Sequence, residues 1–166
     1  MNNVKKEFEL YEPMGLWLNT YLKDKYRKHK CSIFVEDSHA VTLDSILEKH
    51  GVVRFYPQTV GLDIQIDVLG IVICESKVDL IFIEAKKTPL NLHDLGQLWA
   101  YCRLCDPAES FLLSSGGTGS LEKVLRNLHR EDLLDYGDGT IIKKMQVARW
   151  DVLRKTVDSS SLIPKI

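Results

Sequence analysis

Two alternating segments joined by a short turn constrain this chain more than any other feature. Leu62, Ile64, Ile66 and Val68 alternate with Asp63, Gln65 and Asp67, the two-residue period of a strand with one buried face. Ile71 to Cys74 continue the run past Gly70, where a bulge is expected. After Glu75-Ser76, the segment Val78 to Lys86 reads as a second strand. If Glu75-Ser76 is the whole turn, Ile73 faces Val78, Ile71 faces Leu80 and Leu69 faces Phe82, so three apolar pairs share a face. The next pair on that face is Asp67 with Glu84, and Lys86 falls opposite Gln65. Opposed residues have Cβ atoms about 4.5–5.5 Å apart. Two carboxylates so close repel unless a cation lies between them, and a divalent, oxygen-preferring metal ion suits that place. The competing reading is a solvated strand end, since Glu-x-Lys alone is a frequent chance pattern.

Other elements follow from periodicity. Val4, Phe8, Tyr11, Gly15, Leu18 and Leu22 recur at helical spacing. Pro13 either opens a helix at its first turn, after a separate turn, or kinks one long helix. A short strand (32–35) and a small helix (43–50, stopped by Gly51) come next. Asn91 caps a helix over 92–104 whose stripe is Leu92, Leu95, Leu98, Trp99 and Cys102. Residues 109–115 form a buried strand, 121–129 a helix and 141–150 a last strand. The order predicts an α/β domain with a mixed central sheet flanked by helices, a single domain over residues 1–166.

Composition removes several classes. With 45% hydrophobic and 27% charged residues among 166, the chain can close one core and is neither disordered nor fibrous. No apolar run approaches the roughly 20 residues of a membrane span. Charge occupies the start, where a signal peptide would be apolar, so a soluble, cytoplasmic protein is expected. The formal net charge is −1, but residues 1–30 hold seven basic and four acidic side chains, and residues 141–166 six and two. Basic ends around an acidic centre suit a metal site flanked by phosphate-binding surfaces, or simply solvated termini.

Cys31, Cys74, Cys102 and Cys105 are read as buried thiols; neither a disulfide framework nor a cysteine metal site is expected. Asp63 shares the face of Asp67 and is a weaker second-ligand candidate. The 116–120 loop, Gly-Gly-Thr-Gly-Ser, reads as a turn and cap rather than a phosphate cradle, for it lacks the P-loop lysine. The five histidines show no metal-ligand spacing.

Asp67 followed by Glu84-Ala85-Lys86 resembles the PD-(D/E)XK nuclease superfamily, although Ile66 stands where the name has proline. Gln97 and Tyr101 resemble the QxxxY motif of RecB-like members, and Glu9 in Glu9-Leu10-Tyr11-Glu12-Pro13 resembles the first-helix glutamate, with Glu12 its competitor. The resemblance implies a restriction endonuclease-like fold and a Mg²⁺-dependent deoxyribonuclease, with Mn²⁺ as a substitute. Asp67, Glu84 and the Ala85 carbonyl would hold the ion, Lys86 would stabilise developing charge, Gln97 would position the attacking group or substrate, and Glu9 would complete the outer shell. It further implies DNA as partner, contacted by residues 23–30 and 143–155, and a homodimer. A restriction-type or junction-resolving endonuclease leads; a RecB-like exonuclease and a non-cleaving nucleic-acid-binding module are the alternatives.

Overall fold

The computed structural model describes residues 4–165. Its strands are β1 (Cys31–Asp37), β2 (Val68–Cys74), β3 (Val78–Lys86), β4 (Glu109–Ser114), β5 (Asp135–Gly137), β6 (Ile142–Lys144), β7 (Gln146–Asp151) and β8 (Thr156–Val157). Six form one mixed sheet in the order β1-β2-β3-β4-β7-β8, while β5 and β6 make a separate ladder. β1, β2 and β3 are antiparallel neighbours; β4 and β7 run parallel to β3. α1 (Tyr11–Lys25) covers one face of the sheet, and α2 (Leu43–Lys49) and α3 (Leu92–Cys105) cover the other. The expected α/β architecture with a mixed sheet between helices is therefore present. No helix among the described residues is long and apolar enough to cross a membrane.

α1 forms because Leu10, Met14, Leu18 and Leu22 recur every four residues and bury against Val68, Val72, Ile81 and Ile83. Pro13 lies in its first turn, where a missing N–H breaks no bond, and a separate 3₁₀ turn, Glu7–Leu10, precedes it. Gly70 makes no bulge: it pairs with Ile81 in an unbroken ladder. A Cβ there would lie 3.0 Å from Leu22 Cδ1 and 3.2 Å from Leu18 Cδ2, so glycine lets α1 sit close on the sheet. Asn91 caps α3 reciprocally with Asp94.

Five further expectations need correction. Residues 62–67 are not a strand: burial alternates from Asp63 to Asp67, but Leu62 is exposed. Their carbonyls bond to the 38–43 segment: Leu43 N–H donates to Ile64 O at 2.7 Å, and Ser38 N–H to Asp67 O at 3.0 Å. The last expected strand is two, β6 and β7, divided at buried Met145 and placed in different sheets. Leu92 and Trp99 lie outside the buried stripe of α3, and Trp99 instead stacks with Arg103. The helix expected at 121–129 is a four-residue α4 (Gly119–Glu122) continued by a π-helical turn, Lys123–Asn127. Finally, Cys31 and Cys74 form a disulfide, because the β1–β2 register sets them directly opposite each other. Nothing in their isolated positions along the sequence reveals that pairing. Cys102 and Cys105 are free buried thiols, pushed by burial up to about 12 and about 11.

Candidate active site

The β2–β3 ladder has the expected register, with Ile73 opposite Val78, Ile71 opposite Leu80 and Leu69 opposite Phe82. The Cys74 N–H donates to Lys77 O at 2.9 Å, so Glu75-Ser76 is the whole loop. The last rung is Val68 with Ile83; Asp67 lies one residue beyond it. The Asp67 side chain nevertheless reaches β3, where Ala85 N–H donates to its Oδ2 at 2.8 Å. Ser38, buried in the turn after β1, holds the backbone before it: its hydroxyl donates to Ile66 O and its N–H to Asp67 O. Lys86 Nζ stands 3.3 Å from Glu84 Oε1. Asp67, Glu84 and Lys86 thus meet at the C-terminal end of β3. In parallel sheets that is the end at which ligands bind.

Their electrostatics are strained by burial. Glu84 is only 4% exposed. Burial first, and the Asp67 charge second, raise its carboxyl to about 7, against the pull of Lys86. Burial likewise raises Asp67, opposed by the Ala85 N–H and Lys86 and reinforced by Glu7. Burial alone would lower Lys86, but the Glu84 and Glu7 carboxylates outweigh it and hold the ammonium charged. One Asp67 oxygen is engaged by Ala85, the Tyr11 hydroxyl also lies against the Asp67 carboxylate, and one Glu84 oxygen faces Lys86.

The first-helix glutamate is placed differently from expectation. Glu9 Oε2 accepts the N–H groups of Lys5 and Lys6, each at 2.9 Å, and so caps its own turn. Glu12 is exposed beside a groove between α1 and β1. Glu7 is the glutamate whose charge acts on Asp67, Glu84 and Lys86. Tyr11, one turn on, donates to Glu7 at 3.5 Å, and burial followed by Asp67 and Glu7 raises its phenol. The four-residue spacing of Glu7 and Tyr11 was the available signal. Gln97 is exposed on α3 and has no hydrogen bond to the three central residues; Tyr101 packs on the core. Asp63 is exposed, with a left-handed φ of 50°, outside any strand.

The 116–120 loop is shaped by packing: a Cβ on Gly116 would lie 2.6 Å from the Thr88 carbonyl carbon, and one on Gly119 2.5 Å from Leu90 O. The basic stretch at 23–30 ends at Cys31, opposite Cys74 and the hairpin turn. Six residues of β3 separate that turn from Glu84, roughly 20 Å at strand rise. In the 143–155 stretch, Lys143, Lys144, Arg149 and Arg154 pair with Asp106, Asp135, Asp158 and Asp151. Arg149 alone of these lies in the same row as the site, for Lys86 aligns with Ser114 and Ser114 with Arg149. Two strand spacings put their backbones roughly 10 Å apart, with side chains on the same face.

Among the described residues, no group of three or more His, Cys, Asp or Glu side chains is close enough to hold a metal ion. Asp67 and Glu84 together offer two carboxylates at the end of β3. The pair fits an ion such as Mg²⁺, which takes one or two carboxylates and keeps several waters. No protein-family model, curated protein or solved structure matches the chain.

Proposed function

We propose that the chain is a metal-dependent deoxyribonuclease of restriction endonuclease-like fold, an endonuclease of restriction or junction-resolving type. One observation carries the reading: the buried Glu84 carboxylate and the partly buried Asp67 carboxylate meet at the end of β3, with the Lys86 ammonium 3.3 Å from Glu84. Asp67 and Glu84 would hold Mg²⁺, with the Ala85 carbonyl in the role the resemblance gives it. When bound, such an ion lowers the pKa of water and offsets charge on a phosphoryl oxygen.

The rest is the work of side chains. Glu84 must shed a proton to bind a cation, so affinity rises with pH through about 7. Lys86, kept charged by its carboxylate neighbours, donates to the oxygens on which negative charge develops. Glu7 replaces Glu9 as the first-helix acid. Arg149, in the same row as Lys86, contacts a backbone phosphate and so positions the duplex without reading it.

The test is incubation with supercoiled, linear, single-stranded and branched DNA in Mg²⁺, Mn²⁺ or EDTA. The expected result is cleavage of at least one substrate that EDTA abolishes. Lys86→Ala and Asp67→Asn should each slow it by about 10²–10³-fold, the usual cost of removing one such electrostatic group. Binding without metal-dependent cleavage, unaffected by Lys86→Ala, would instead make the chain a non-cleaving nucleic-acid-binding module.

A further inference from the structure

We infer that the free edge of β1 and the groove beside it seat a second copy of this chain, related by a two-fold axis. It gives a location to the homodimer that the nuclease resemblance implies, but rests on the strand edge and groove alone, so it can fail while the nuclease reading stands. β1 ends the sheet: β2 occupies its inner edge and, among the described residues, no strand covers its outer one. Such an edge offers a row of backbone donors and acceptors to another strand. β1 has neither proline nor bulge over its seven residues, its charges lie only at its end (Glu36, Asp37), and Phe34 is 39% exposed on it. Between β1 and α1 runs an open groove of about 630 Å³, whose α1 wall is Glu12, Gly15, Leu16, Asn19 and Lys23.

The order of charges identifies the occupant. The α1 wall is acidic at its N-terminal end and basic at its C-terminal end. β1 has the reverse order, with Lys28-His29-Lys30 before it and Glu36-Asp37 at its close. Helix and strand run oppositely, since Tyr11 stacks on His39 and Gly15 lies beside Val35. The groove therefore has one acidic end (Glu12, Glu36, Asp37) and one basic end (Lys23 and the run before β1). Glu36 is engaged by Lys49 and His50, and Asp37 by His39. Glu12, Lys23, Lys28 and Lys30 have no ion-pair partner among the described residues.

A two-fold mate reverses this polarity. Antiparallel α1 stripes set Glu12 against Lys23 of the second copy, and bring Leu16, 63% exposed, to the middle of the contact. Antiparallel β1 edges centred on Ile33 set Lys30 opposite Glu36 of the second copy. The distances agree. α1 packs over β1 and β2, so adding one strand spacing between the two β1 edges puts the α1 axes roughly 10 Å apart, a normal helix contact. A neutral strand, or one running the other way, would leave Glu12 and Lys23 unmatched.

Sedimentation velocity of the full chain across salt concentrations tests this, with near-UV circular dichroism as a check on folding. The wild type should be a dimer that weakens as salt screens the pairs. Glu12→Lys and Lys23→Glu should each weaken association by about tenfold or more. The double variant carrying both changes should recover it, because the pair is re-formed with its signs exchanged. A wild type that stays monomeric at low salt overturns the inference. So does a dimer indifferent to both single changes, or a double variant no better than the singles.

Discussion

At the scale of single residues, Glu84 carries the tension of the site. Its carboxyl, raised mainly by burial and then by Asp67, titrates near 7 in the fold, whereas an unfolded glutamate titrates near 4.3. Between those values the folded chain holds a proton that the unfolded chain has lost. The contribution is stabilising below the unfolded value and disappears as pH rises through about 7. Without metal, the wild type should therefore lose stability from mildly acidic to mildly alkaline pH. Glu84→Gln should remove that slope and stabilise the metal-free fold above neutrality by about 1–3 kcal/mol. Urea unfolding in EDTA across this range checks it; a variant less stable than wild type above neutrality would contradict it. Glu7 and Glu9 separate in the same way. Glu7→Gln should reduce metal-dependent activity, while Glu9→Gln, whose amide oxygen can still accept the Lys5 and Lys6 N–H groups, should leave the metal dependence unchanged.

At the scale of elements, the sheet gathers the site and its edges fix it. The Cys31–Cys74 bond closes the β1–β2 pair across a sequence separation of 43. Chain entropy gives such a loop about 4 kcal/mol of stabilisation. Dithiothreitol, or a Cys31→Ser, Cys74→Ser double change, should lower the thermal midpoint accordingly; an unchanged midpoint would contradict a structural role. Gly70→Ala should also destabilise, by about 1–3 kcal/mol, since α1 must retreat from the new methyl.

The β2–β3 register was legible because three apolar pairs and a two-residue turn leave one consistent alignment. It brings Asp67 to the end of β3, but the expected pairs Asp67–Glu84 and Gln65–Lys86 do not form: the ladder stops at Val68 with Ile83, and Asp67 reaches β3 through the Ala85 N–H. What escaped the sequence was decided by distant partners. Residues 62–67 alternate like a strand, yet Ser38 and Leu43 take their carbonyls. Cys31 and Cys74 become neighbours only through the β1–β2 pairing. Glu7 rather than Glu9 turns to the site because the 3₁₀ turn uses Glu9 as its own cap. Periodicity reports burial, not which backbone group satisfies which.

At the scale of the whole molecule, charge pairing narrows where DNA can lie. Most of the 143–155 stretch is matched by carboxylates, and the 23–30 stretch ends at the far end of the hairpin. Arg149 is also paired, with Asp158, but it is the one of these residues that shares a row with Lys86 beside the site. Arg149→Ala should weaken binding to all sequences alike and reduce the salt slope by about one; a change confined to one sequence would contradict a phosphate contact. Everything at this scale depends on Asp67 and Glu84 sharing one cation. Mn²⁺ titration followed by electron paramagnetic resonance reads that directly. Above neutral pH the wild type should bind one ion, Asp67→Asn and Glu84→Gln should bind it at least about tenfold more weakly, and wild-type affinity should fall as pH drops through about 7. Equal Mn²⁺ uptake by all three proteins, or none by the wild type, would contradict the account.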